Sequence, residues 1–536
     1  MPVGLYLSRC RGRVDETVDL DALIEEFKDR AVVARVVDDL FEPATAQRIE
    51  RDITDAGLDA VVLAGNSRDH YVKSLSGRHF WDRIVDAGVN PNRVVTANLL
   101  EQVALAHSAD RAGALAKARA AVSLALLDAG ARAEAVAERT VPRKAVLILG
   151  ATIEGVVAAQ RLLQLGYRVH IIDRGDGVAR LAGKGELSAT VGYVLGHPDC
   201  DLANGASIQD ADGWVGDIRV TLAAQDGATH LHVGGILIAE PSETAWVTEL
   251  RDHFRIDVDD EGHARSVNPQ AHPAETIEPG IAVVPPVVGE GGLRDLVSAA
   301  DSAAMALILQ LSYPETTHYA MTSSVDDTLC GACASCVKTC AFGACLIDPV
   351  TGLSKVDVRR CRGCGKCVVG CPVGARDILS SPHEYLLAAI DELSQVDVPG
   401  PKVLGFLCGG CGYPAADRAG ELAASGGEAF PSGFLPLRIP CGGRLDTLYV
   451  LAAFRAGFDG VTVFRCREGH CHNVIGNLDM DRRMSLLRTV IRSRGLDADR
   501  LRVIDISPTE GDVFTASVNG VFSLLGTLVN GKGGPL

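Results

Sequence analysis

Apolar positions along the chain gather in short runs that alternate with stretches of helical periodicity, a pattern that predicts parallel strands layered with helices. The opening MPVGLYLSRC reads as a strand. The alanine-rich DRAGALAKARAAVSLALLDAGARAEAVAE is a strong helix former with no fixed repeat. KAVLILGATIEGVVAAQRLLQLGYRVHIIDR reads as strand, glycine turn, helix and a second strand ending in an acid. After DVPGPK, the apolar run KVLGFLC enters a cysteine turn and then a helix. LRIPCGGRLDTLYVLAAFRAGFDGVTVFRC repeats that logic as strand, cysteine, helix, strand, cysteine. The late run VNGVFSLLGTLVNG is one amphipathic helix long, and no run approaches the about 18–20 apolar residues of a membrane span.

Length adds a domain count: 536 residues exceed one core and predict three or four domains. A formal charge of −16 argues against a phosphate-backbone ligand, which needs a surplus of lysine and arginine. No long apolar leader opens the sequence, so the expected location is the cytoplasm. No paired-carboxylate site, Ser/His/Asp order or triphosphate loop stands out.

The cysteines change the picture. There are sixteen: Cys10 and Cys200 stand alone, nine lie between Cys330 and Cys371, and five between Cys408 and Cys471. In a reducing compartment such clustering points to metal or redox chemistry rather than disulfides. CGACASCVKTC from Cys330 and CRGCGKCVVGCP from Cys361 share the spacing Cys-x2-Cys-x2-Cys-x3-Cys, the bacterial ferredoxin run. Three thiolates of each run wrap one cubane and the fourth reaches the other. The expected ligand sets are therefore Cys330, Cys333, Cys336 and Cys371 for one [4Fe–4S] cluster, and Cys361, Cys364, Cys367 and Cys340 for the second. The small residues Gly331, Ala332, Gly363 and Gly365 should let backbone amides approach the sulfurs, and each fourth cysteine should open a short helix. Ala341 replaces the proline that would start that helix. Cys345 and Cys200 read as small core residues. A zinc site is the alternative use of Cys-x2-Cys pairs.

In the last quarter, Cys408, Cys411, Cys441, Cys466 and Cys471 converge on the carboxyl ends of predicted strands, where α/β sheets place their sites. Four of them suit a [2Fe–2S] cluster or zinc. His470 and His472 are substitutes for a thiolate, with a surface role expected for each, and a redox dithiol at Cys408 and Cys411 is a third reading. The segment from Lys402 to about residue 508 resembles the delta subunit of methyl-viologen-reducing hydrogenase. The matching residues are Cys408, Cys411, Cys441, Arg444, Asp446, Cys466, Gly469, Cys471, His472, Gly476 and Asn477. The resemblance implies a [2Fe–2S] cluster, electron exchange with a heterodisulfide reductase, and helices over RRMSLLRTVIRSRG and VNGVFSLLGTLVNG.

In the Rossmann-like unit, Gly150 and Gly155 hold the first and third fingerprint positions, Thr152 fills the second, and Asp173 is placed to meet a ribose. Thr152 obstructs a pyrophosphate, so a scaffold without cofactor competes with a bound one. The front half resembles the A-type subunit of heterodisulfide reductase, from GLYLSRC through this unit and again at IAVVPPVVGEGGLRDLVSAADSAAMALIL. That resemblance implies a thioredoxin-reductase-like FAD domain and a further cluster in the N-terminal domain. Cysteines expected near Leu40-Phe41 and Gly65-Asn66 are absent, leaving Cys10 alone, so no cluster is expected there. Glu240-Pro241 also replaces a Thr-Gly turn beside the flavin.

The expected architecture is multidomain α/β. An N-terminal α/β domain spans 1–140, a degenerate Rossmann, thioredoxin-reductase-like domain 141–318, an α+β module of two [4Fe–4S] clusters 319–382, a linker 383–401, and an α/β iron–sulfur domain 402–536. The expected function is an electron-transfer subunit whose partners are dehydrogenase, hydrogenase or heterodisulfide-reductase-like subunits, with no nucleic acid and no membrane span. The competing readings are a stand-alone flavin-dependent NAD(P)H or ferredoxin oxidoreductase, and a redox-sensing or zinc-binding module.

Overall fold

A computed structural model describes the chain except residues 74, 182–184, 225–226, 260, 268–271, 288–291, 496 and 531–536. The N-terminal domain is a parallel sheet of Val33–Val37, Val3–Ser8, Ala60–Gly65 and Val94–Asn98, in that spatial order. Val3–Ser8 and Ala60–Gly65 are buried along their whole length, as apolar runs covered on both faces must be. The C-terminal domain repeats the order with Phe434–Ile439, Val403–Cys408, Gly460–Cys466 and Leu501–Ile506, again all parallel.

The second domain has a five-stranded parallel sheet in which Ala145–Leu149 lies between Gly235–Ile238 and Arg168–Asp173. An antiparallel three-stranded sheet, Ser207–Trp214, Asp217–Ala224 and Gly227–Val233, extends from it. The ferredoxin-like module consists of two short antiparallel pairs, Ser323–Val325 with Arg376–Ile378 and Cys345–Ile347 with Ser354–Val356.

The alanine-rich segment forms the helix Arg111–Ala131, capped by Asp110, whose carboxylate accepts from Gly113 N–H at 2.9 Å. Its apolar residues lack a single stripe because two cores share the helix. Ala114, Ala118, Val122 and Ala125 enter the N-terminal core, whereas Ala120 and Leu124 enter the C-terminal one.

The stretch 383–401, expected to be a linker, is mostly the helix His383–Ser394. Leu386, Ala389, Ile390 and Leu393 bury its apolar stripe in the C-terminal core. Among the described residues no helix is long and apolar enough to cross a membrane.

Candidate iron–sulfur centres and their docking

The two ferredoxin runs form matched loops. Ala332 and Ala334 in the first, and Gly363 and Gly365 in the second, take left-handed backbone with φ of 54°, 57°, 62° and 77°. The residues that turn these loops are therefore those before and after the second cysteine. Gly331 has no positive φ, and a Cβ there would meet open space. The short helices Ser335–Thr339 and Lys366–Val369 precede Cys340 and Cys371. This corrects the expected helix after each fourth cysteine: a turn follows Cys340, so Ala341 has no helix to start.

The thiols gather across the two runs. A cavity of about 20 Å³ is lined by Cys330, Cys333, Cys336 and Cys371. Cys361 and Cys364 are raised by burial, with the Cys340 and Cys367 charges acting on both. Cys345 is buried against Cys340 and Cys367. Backbone N–H groups reach the sulfurs: Ser354 N donates to Cys330 Sγ at 3.4 Å and Ala344 N to Cys340 Sγ at 3.3 Å.

Sequence reasoning missed Arg376, only 3% exposed. Its guanidinium donates to Ser323 Oγ at 3.3 Å and to Ser354 Oγ at 2.9 Å. Those hydroxyls touch Cys367 Sγ at 3.3 Å and Cys336 Sγ at 3.1 Å. One buried cation thus links the two thiol groups through two serines. No local spacing marks it.

In the C-terminal domain, Cys408 and Cys466 end the two central strands, and Cys441 follows an outer one. All five cysteines are buried. The Sγ atoms of Cys408, Cys411 and Cys466 lie within 4.8 Å of one another. Cys471 contacts both Cys466 and Cys441, completing the group. Contacts from Cys408 and Cys466 hold Cys411 well below the usual thiol range, and Cys441 and Cys466 do the same for Cys471. The same contacts raise the partner thiols Cys408, Cys441 and Cys466.

The residues between the cysteines have physical duties. Asn477 Nδ2 donates to the Cys466 and Arg467 carbonyls at 3.0 and 2.8 Å, pinning the cysteine turn. Gly476 lies so near the thiols that a Cβ would sit 2.5 Å from Cys441 Sγ. Asp446 caps the helix Thr447–Arg455 by accepting from Leu448 N–H at 2.9 Å. His472 does not take the surface role expected of it. Its Nδ1 is 3.6 Å from Cys466 Sγ, and its Nε2 is 2.6 Å from Asp257 of the second domain. Burial opposes its charge, yet Asp257 and Cys411 hold its pKa well above the ordinary value. Arg251 of the same domain donates to the Gly469 and Cys471 carbonyls at 3.0 and 3.1 Å. His470 lines a neighbouring cavity of about 230 Å³ with Cys411, Arg265 and Arg467.

The second ferredoxin loop docks on this centre. Arg444, fully buried, packs over Gly365, where any Cβ would strike its side chain. Arg444 Nη1 donates to Tyr449 OH at 2.6 Å and its Nη2 to the Ser381 carbonyl at 3.3 Å. Lys366, 2% exposed, pairs with Asp479 at 2.7 Å. Cys364, half-buried, thereby packs against the core that contains Cys408, Cys411, Cys441, Cys466 and Cys471.

The Rossmann-like unit is built differently from a dinucleotide cradle. Thr152 caps the helix Ile153–Gln164, its Oγ accepting from Gly155 N–H at 3.1 Å. Asp173 is 1% exposed and accepts from Ala151 and Gly175 N–H, both at 2.9 Å. Glu240 covers the glycine turn: a Cβ on Gly150 would lie 2.8 Å from the Glu240 Cβ. Arg180 then bridges Glu240 at 2.7 Å and Asp173 at 3.5 Å. In the N-terminal domain Cys10 Sγ lies 3.6 Å from Ser8 Oγ and from Asn66 Oδ1, and burial pushes its pKa to about 11. Cys200 is half-buried rather than buried.

Comparison with known proteins agrees with this geometry. The family described as methyl-viologen-reducing hydrogenase, delta subunit, matches residues 403–528. The D-type iron-sulfur subunit of the vhc F420-non-reducing hydrogenase of Methanococcus voltae is 34% identical over 122 residues, 23% of this chain and 82% of that protein. The chain belongs to the hydrogenase delta-subunit family. A delta-subunit relative from Archaeoglobus profundus, the D-type iron-sulfur subunit of its F420-non-reducing hydrogenase, is 36% identical over 111 residues, 21% of this chain and 78% of its own length. A 4Fe-4S binding domain matches residues 354–377, which hold the second cysteine run. The chain is also similar to the A-type subunit of the ferredoxin/F(420)H(2)-dependent CoB-CoM heterodisulfide reductase of Methanosarcina acetivorans. They are 33% identical over 254 residues, which is 47% of this chain and 31% of that protein. The chain thus spans about a third of the length of that relative.

Proposed function

We propose that the chain is an iron–sulfur electron-transfer subunit of a larger oxidoreductase, relaying electrons inside one polypeptide between its ferredoxin-like module and its delta-subunit domain. The observation that carries this reading is the packing of half-buried Cys364 against the core that holds the five C-terminal cysteines, locked by Arg444 on Gly365 and by the Lys366–Asp479 pair.

In this reading Cys330, Cys333, Cys336 and Cys371 hold one [4Fe–4S] cluster, and Cys340, Cys361, Cys364 and Cys367 hold the second. Cys408, Cys411 and Cys466 supply three ligands to a [2Fe–2S] cluster, and Cys471 or Cys441 supplies the fourth. When bound, these groups accept and release single electrons. The chain's own residues fix the thiolates, exclude water and set the local field, chiefly through Arg376 and His472. The cavity beside Cys411, rimmed by Arg265, Arg467 and His470, is the face offered to a partner hydrogenase, dehydrogenase or heterodisulfide-reductase-like subunit. Substrate chemistry resides on those partners.

The Rossmann-like unit does not suit FAD. Glu240 and Arg180 fill the space over the glycine turn, and Asp173 is committed to backbone N–H groups. The unit is read as a scaffold whose Arg251 and Asp257 brace the C-terminal centre.

Anaerobic purification, with iron, acid-labile sulfide and flavin measured per chain, tests the reading. It predicts about ten irons and no flavin, from two four-iron clusters and one two-iron cluster. About eight irons with zinc would refute the C-terminal assignment, and stoichiometric flavin would refute the scaffold role.

A further inference from the structure

Away from every cysteine, a cavity of about 130 Å³ lies where the N-terminal and C-terminal domains meet. The outer strands Val94–Asn98 and Phe434–Ile439 both line it, and each is the edge of its own sheet. Helices Arg111–Ala131 and His383–Ser394 add Lys117, Asp128 and Tyr385.

The charged lining is one-sided: Arg68, Lys117, Arg132 and Arg438 face a single carboxylate, Asp128. Arg132 takes that carboxylate in a two-pronged pair at 2.6 and 2.7 Å. Lys117 Nζ is engaged with His107 Nε2 at 2.7 Å. Arg68 and Arg438 remain. Among the described residues neither makes an ion pair or hydrogen bond to an acceptor, and the one carboxylate that acts on Arg68, its neighbour Asp69, is outweighed by burial and the Arg438 charge. Arg438 lies 5.8 Å from the Tyr413 ring centre, its guanidinium against Gly409. Burial and the Arg438 charge push Arg68 down to about 9. Ser381, 3% exposed, also lines the cavity, and its Oγ has no hydrogen-bond partner among the described residues.

Two half-buried guanidinium groups that line one cavity without a carboxylate between them favour an anion there, because burial and the Arg438 charge both act against the charge on Arg68. Guanidinium pairs match the planar forks of phosphate-type oxygens. The volume is below the ~300 Å³ at which drug-sized pockets begin. We propose that this cavity binds a tetrahedral oxyanion of phosphate size between Arg68 and Arg438, with Ser381 and Tyr385 hydroxyls as further donors. The ion is free phosphate or the phosphate end of a small ester. Since the two arginines come from different domains, the ligand would fasten one to the other.

Isothermal titration of the full holoprotein in phosphate-free buffer tests this, with inorganic phosphate, glycerol phosphate and chloride at matched ionic strength. Saturable one-to-one binding of phosphate, and none of chloride, is expected. Tighter binding of glycerol phosphate than of phosphate would identify the ester as the ligand, and weaker binding the free ion. Arg438→Gln and Arg68→Gln should each weaken phosphate binding at least tenfold. Without phosphate, both should melt no lower than the parent, since removing one cation relieves the repulsion. Equal response to chloride, unchanged affinity in both variants, or variants that unfold in phosphate-free buffer would overturn the proposal.

Discussion

Ala332 and Ala334 occupy backbone positions that Gly363 and Gly365 fill in the sister loop. A left-handed L-residue costs about 1–2 kcal/mol, of which glycine's extra unfolded freedom returns a part. Ala332→Gly and Ala334→Gly should therefore each stabilise the holoprotein by about 1 kcal/mol, read as a raised midpoint in denaturant. Glycine at position 365 faces the opposite constraint, because Arg444 occupies the space of any side chain. The cysteine spacing was legible because a cubane demands it locally. The left-handed alanines were not, since alanine carries no turn signal. Glu101 was equally hidden. Burial raises its carboxyl to about 7, although Ser67 N–H donates to it at 2.7 Å. The folded state keeps a proton that the unfolded chain releases near 4.5. The resulting contribution is complete below about pH 4.5 and lost as pH rises through 7. Against Glu101→Gln, the parent should lose on the order of 3 kcal/mol between about pH 4.5 and 8. A pH-independent difference in melting would show that the carboxyl is not the titrating group.

Helices carry the joints between domains. Asp417, on the helix that follows Cys411, accepts from Asn98 Nδ2 at 2.8 Å and Gln102 Nε2 at 2.6 Å, and also from Ser67. At Gly420 of the same helix a Cβ would collide with the Glu101 carbonyl. The other joint is Lys366 on Asp479. Removing one member of a buried pair costs more when the survivor is the deeper group. Asp479→Asn leaves Lys366 at 2% exposure without its anion and should destabilise the protein by about 3 kcal/mol. Lys366→Met leaves a carboxylate on a side chain 21% exposed and should cost less. Chemical denaturation of both variants checks the order, and equal losses would contradict it. Strands, cysteine turns and the Rossmann-like unit were readable from apolar runs and glycines, which act over a few residues. The helix His383–Ser394 reads as linker in the sequence because DVPGPK beyond it dominates the local composition. Arg251, Asp257 and Arg376 were invisible because their partners lie far away in sequence.

Across the whole molecule, two sheets of identical strand order come before and after the Rossmann-like domain and the ferredoxin-like module in the chain, and they meet each other directly. The second domain reaches the ferredoxin module through Arg359, 2.9 Å from Asp212 and Asp217, and Arg360, 2.6 Å from Asp210. It reaches the C-terminal centre through Arg251 and the Asp257–His472 pair. Both redox modules are thus held by one scaffold, and the relay depends on their being held together. The most direct test is electron paramagnetic resonance of the fully reduced holoprotein beside a Cys408→Ser variant. If the Cys364 loop and the C-terminal cysteines hold neighbouring clusters, the parent spectrum should show spin–spin broadening of a four-iron signal. The part of that broadening contributed by the C-terminal cluster should vanish in the variant, with the four-iron signals and their coupling to each other retained. A four-iron spectrum left unchanged by Cys408→Ser would contradict the relay.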